Sequence, residues 1–114
     1  MSNLLEEVSK QFALWVAEEA KQLRTIEESA ANLVAAAKTH PARKPHLKRL
    51  RTAQKALEIA SEQCVHFTDL ADLINSDAQY KNLAYSGDIR QSFANVEENS
   101  ELKELVDSLQ YLEK

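Results

Sequence analysis

"LRTAQKALEIASEQCVHFTDLADLI", residues 50–74, decides the fold. Its apolar positions Leu50, Ala53, Leu57, Ala60, Cys64, Phe67, Ala71 and Ile74 alternate steps of three and four without a break. A strand repeats every second residue and a helix about every 3.6, so this row shares one side only if the segment is helical. Strict alternation of three and four also keeps a row facing a partner helix over several turns. The segment therefore predicts a long helix with a seam along one side.

Upstream, apolar residues recur at Leu5, Val8, Phe12, Val16, Ala20, Leu23, Ile26, Ala30, Leu33 and Ala37, which predicts a first helix from Asn3 to about Lys38. Between the two, His40 and Lys44 each precede a proline, which disfavours helical dihedrals at both, while Pro45 suits the first turn of the next helix. The chain is expected to turn at 39–44. So short a turn makes the helices antiparallel neighbours, with partners whose numbers sum to about 83 and arms roughly 45 to 55 Å long. The small residues Ala53, Ala60 and Ala71 should let the axes approach closely.

Downstream the pattern is shorter. "SDAQ", residues 76–79, has the form of a capping box opened by Ser76, and "SGD", residues 86–88, supplies a glycine stop and a fresh Asp cap. Helices are expected at about 77–85, at 89 to about 98 with Ile89, Phe93 and Val96 buried, and from near Ser100 with Leu102, Leu105, Leu109 and Leu112 in register. They need a surface to pack on. The second half of the long helix offers one, since Ile59, Leu70 and Leu73 project away from the first seam. The fold class that follows is all-α: a long antiparallel helical hairpin, residues 3–75, with two or three shorter C-terminal helices, residues 77–113, packed back on it as a small helical bundle. With 114 residues, one Gly and two Pro, the chain reads as a single domain over 1–114 with no strands.

Charge is distributed unevenly. The net −4 resolves into six acids and three bases over residues 1–28, seven bases and no acid between Ala30 and Leu57, and twelve acids against four bases from Glu58 onward. The seven bases are Lys38, Arg43, Lys44, Lys48, Arg49, Arg51 and Lys55. Lys44, Lys48, Arg51 and Lys55, spaced four, three and four, form one stripe on the side of the helix away from the seam. Stability alone disfavours this pattern. Cations in the first turns of a helix oppose its dipole at about 0.3 to 1 kcal/mol each, and like charges four apart repel. A solvated face is the bland explanation of such a stripe. The functional one is an anionic partner, contacted through Arg43, Lys44, Lys48, Arg49, Arg51 and Lys55. Flexible cations in a row suffice for sequence-independent contact with phosphates. Base reading is not indicated, because the elbow has no aromatic residue to stack.

Other chemistry is weakly represented. Glu58, Glu62, His66 and Asp69 share one side of the long helix, but no second ligand cluster completes a metal site, and no metal or cofactor is expected. Cys64 falls on the seam and is expected as a buried structural thiol, and His40 and His46 as surface histidines. No phosphate loop or nucleophile motif is present, so the chain is not expected to be an enzyme. A single Cys, acidic Glu6 and Glu7 near the start and no long apolar run predict a cytoplasmic protein without a membrane segment. The expected role is a non-catalytic helical subunit of a larger assembly. It contacts nucleic-acid backbone through its basic elbow and helix edge, and protein partners through other faces, including exposed residues such as Leu14. The alternative is a purely protein-binding module, an adaptor, an inhibitor or a hairpin that associates with a second copy of itself.

Overall fold

The computed structural model describes residues 3–36, 40–41, 43–94 and 99–109. Among these residues five helices follow in order: α1 (Leu4–Ala35), α2 (Arg43–Ser76), α3 (Ala78–Lys81), α4 (Ile89–Ser92) and α5 (Ser100–Asp107). Among the described residues there is no strand, and one antiparallel bridge pairs Asn3 with Ala84. The long helices α1 and α2 pack against each other as antiparallel neighbours, with the short helices following in sequence, as the apolar pattern predicts.

The elbow is displaced from its expected place. Helix α1 ends at Ala35, and α2 already begins at Arg43, inside the predicted turn. Lys44 is helical although it precedes Pro45, and the N–H that Pro45 lacks would have had no intrahelical acceptor in the first turn. The earlier elbow shifts the register by about a helical turn. Numbers summing to about 83 would place position 22 opposite Ser61, yet Ser61 Oγ donates to Glu19 Oε2 at 2.7 Å. Ala37, Lys38 and Thr39 lie outside the described residues.

The contacts fall into two compact units, one formed by Met1–Leu14 with Gln63–Lys114 and the other by Trp15–Glu62. In the first, Leu4, Val8, Phe67, Leu70, Ile74, Tyr80, Ile89, Phe93, Leu102, Val106 and Leu109 are buried. Asn3 caps α1 by accepting from the Glu6 N–H at 2.8 Å, and the Leu4 N–H donates to the Leu83 carbonyl at 3.2 Å. That last bond explains why α3 stops at Lys81 instead of 85: the chain after it is drawn out to satisfy a free donor of the first turn of α1. Its cap also moves. Asp77 accepts from the Gln79 N–H at 3.0 Å, while Ser76, still inside α2, donates to the Leu73 carbonyl. The Tyr80 and Phe93 rings meet edge to face with centroids 6.0 Å apart. Gly87, at φ +98, takes the left-handed turn expected of it, and Asp88 caps α4 through the Arg90 N–H at 2.8 Å. Tyr85, next to the bridge, has its phenol held above its ordinary range by burial first and then by Glu7 and Asp88. Val96 and Leu112 lie outside the described residues. Leu70 is fully buried and Leu73 half-buried in the half of α2 that shares this unit with the C-terminal helices.

The second unit is thinner. Every residue of the predicted α2 seam is buried or half-buried, but among the described residues of this unit only Ala53, Ala60 and Ser29 are fully so. The predicted α1 row is corrected here: Phe12, Val16, Ala20 and Leu23 are exposed. Val8, Phe12, Val16 and Ala20 are spaced by three consecutive fours, and each four overshoots a turn by about 40°, so the row winds off the seam. The inward positions of this unit are instead Trp15, Glu18, Gln22, Ile26, Ser29 and Leu33, many of them polar.

Two buried polar side chains have no hydrogen-bond partner among the described residues: the Ser29 hydroxyl and both ends of the Gln63 amide, with each residue fully buried. An unsatisfied buried group costs about 1 to 3 kcal/mol. Gln63→Met, of similar length, is therefore expected to raise unfolding stability by about 1 to 3 kcal/mol in urea titration. A loss of stability would show that the amide is satisfied in solution.

Candidate functional site

The elbow end of the Trp15–Glu62 unit holds the six cations singled out in the sequence, and the fold sorts them into three groups. Arg43 opens α2, and its guanidinium turns back to donate to the Leu33 carbonyl at 3.0 Å and the Ala36 carbonyl at 3.4 Å. The last turn of α1 contains no base of its own, so Arg43 supplies both the donor and the positive charge that its C-terminus favours. It is a clasp between the two helices. Arg49 reaches Glu28 across the pair at 3.8 Å, with both side chains more than half exposed, which makes the contact a weak one.

Lys44, Lys48, Arg51 and Lys55 form the third group. All four are exposed, and among the described residues none makes an ion pair. Counted at about 100° per residue, they lie on the side of α2 opposite Ala53 and Ala60, about 4.5 to 6 Å apart along the axis. No Asp or Glu interrupts α2 before Glu58. The edge is thus a row of like charges along the N-terminal half of α2, with Lys44 in the first turn, where the dipole opposes a cation. His46 is half-buried at the seam rather than on the surface, and His40 is exposed.

The remaining candidates are placed elsewhere. His66 Nδ1 lies 3.1 Å from Ser108 Oγ, and because Ser108 donates to the Leu105 carbonyl at 2.8 Å, the hydrogen between them belongs to His66. Among the described residues no three His, Cys, Asp or Glu side chains come together as metal ligands. Cys64 is half-buried, less enclosed than its seam position suggests. Not foreseen in the sequence is an open groove of about 720 Å³ in the first unit, lined by Leu73 and Leu105 and by the carboxylates of Asp69, Asp72, Glu101 and Glu104. It joins residues more than 25 positions apart, which no local pattern could reveal. Among the described residues no helix is long and apolar enough to cross a membrane. No family model, curated protein or solved structure matches the chain.

The two arginines that the fold engages should behave differently. Arg43→Gln is expected to lower stability by about 1 to 2 kcal/mol, since two carbonyls lose a charged donor. Arg49→Gln should cost no more than about 1 kcal/mol, as for an exposed pair. Equal losses in chemical denaturation would contradict the clasp.

Proposed function

We propose that the chain is a non-catalytic helical subunit whose α2 edge, Lys44, Lys48, Arg51 and Lys55, binds nucleic-acid backbone without reading sequence. One observation carries the reading: four exposed cations stand in line, unpaired among the described residues, where their mutual repulsion and, at Lys44 in the first turn, the helix dipole act against them. A polyanion removes both penalties at once. Each phosphate neutralised also releases condensed counterions, so a short row of flexible cations gains affinity without any shaped pocket. Nothing on the edge favours one base over another, since no aromatic side chain flanks it and Gln54 is the nearest amide. Protein partners meet other surfaces, among which Leu14 is more than half exposed.

A second reading, a purely protein-binding module steered by charge, is favoured by the acid-lined groove, which offers apolar and charged contacts in one place. The two readings separate in salt dependence. Replacing Lys44, Lys48, Arg51 and Lys55 together by Gln is expected to leave helicity intact and stability equal or slightly higher. Affinity for a short duplex should fall, and the slope of log affinity against log salt should flatten by up to roughly 0.9 per lost contact. If the variant binds duplex as the parent does, the edge is only solvated and the reading fails.

A further inference from the structure

The groove of the first unit is built between two helices. One wall is α2 from Val65 to Ser76, and the other is α5 from Glu101 to Ser108. Leu73 and Leu105 are half-buried in it and Val65 is 56% exposed, so the groove holds apolar surface in contact with water. Asp69, Asp72, Glu101 and Glu104 stand exposed along it, and no Lys or Arg lines it. Among the described residues none of these four carboxylates makes an ion pair or a hydrogen bond. A trough with apolar side chains between two helices and charge along its rims is shaped to take the edge of a third helix of opposite charge.

We infer that the groove receives the α2 edge of a second copy of the chain, with Lys44, Lys48, Arg51 and Lys55 set among the four carboxylates. Three features select that occupant. The first is charge: the groove has four acids and no base, and the edge has four bases on a stretch of α2 without an acid before Glu58. The second is length. The edge, residues 44–55, and the α2 wall of the groove, residues 65–76, each run about 16 Å along a helix axis at 1.5 Å per residue. The third is surface. Lysine and arginine carry long apolar stems under their charged heads, so the stems can lie on Leu73 and Leu105 while the heads reach the rims. Leu47, 37% exposed and turned about 40° from Arg51 on the helix, adds an apolar contact beside the stripe. The contact is heterologous, because each copy gives its edge to one groove and its groove to one edge. Nucleic acid and a second copy thus compete for the same four cations.

Sedimentation of the full chain at low salt, with no nucleic acid present, tests the inference. The mean mass of the parent is expected to rise with concentration and to return to that of the monomer as salt is added. Two variants each remove one half of the contact. In the edge variant Lys44, Lys48, Arg51 and Lys55 are replaced by Gln, and the groove variant carries Asp69→Asn, Asp72→Asn, Glu101→Gln and Glu104→Gln. Each alone should associate at least roughly tenfold more weakly than the parent, with unchanged helicity, since all eight side chains are exposed. The edge variant keeps a groove and the groove variant keeps an edge, so an equimolar mixture should form a 1:1 complex that neither forms by itself. A parent that stays monomeric up to roughly 1 mM, a groove variant that associates as the parent does, or a mixture that stays monomeric would each overturn the inference. Duplex binding is measured separately, so its failure and the failure of self-association are told apart.

Discussion

Two helices lying side by side can bury only one seam between them, and what fills that seam sets everything else about this chain. Along Trp15–Glu62 the seam is closed by Ala53 and Ala60 against a row that includes Glu18, Gln22 and Ser29. Small groups allow the axes close approach, but they remove little apolar area from water, at about 25 cal/mol per Å². Where α3, α4 and α5 join the ends of the long helices, Phe67, Leu70, Ile74, Tyr80 and Ile89 are enclosed on every side. Burial is therefore concentrated in one unit. The other is held by a thin seam and by single polar contacts such as the Arg43 clasp and the Glu19–Ser61 hydrogen bond.

That division gives the cations their meaning. A surface with little core beneath it has few means of offsetting electrostatic penalties, yet six bases crowd the first turns of α2 without one acid among them. Two are drawn into the hairpin: Arg43 by the carbonyls that end α1, Arg49 by Glu28. The four that the fold does not engage line up on the outer edge, which is the arrangement a phosphate backbone can exploit. Twelve of the eighteen acids belong to the other unit, where Asp69, Asp72, Glu101 and Glu104 line the groove.

Much of the fold was legible, and the reasons differ by element. The α2 seam alternates three and four without interruption, so its phase cannot drift, and every residue read as inward is buried or half-buried. On α1 the consecutive fours from Val8 to Ala20 hid a rotation, and a row that looked like core turned into an exposed flank. The Asp88 cap and Gly87 turn are local and were readable, whereas the shortened α3 depends on Leu4 reaching the Leu83 carbonyl, a contact between distant parts of the chain. At the site, the spacing of Lys44, Lys48, Arg51 and Lys55 placed them on one edge from sequence alone. The engagement of Arg43 was not readable, because it required knowing that α1 stops at Ala35 and leaves its carbonyls beside the start of α2.

The proposed contact of the outer edge of α2 with an anionic backbone can be followed through the backbone amide resonances of the full chain while a short DNA duplex is added at low salt. Shifts are expected to concentrate on residues 44–55, to reverse as salt is raised, and to be the same for duplexes of different sequence. Shifts centred on the groove residues Asp69, Asp72, Glu101 and Glu104, or no shifts at all, would contradict it.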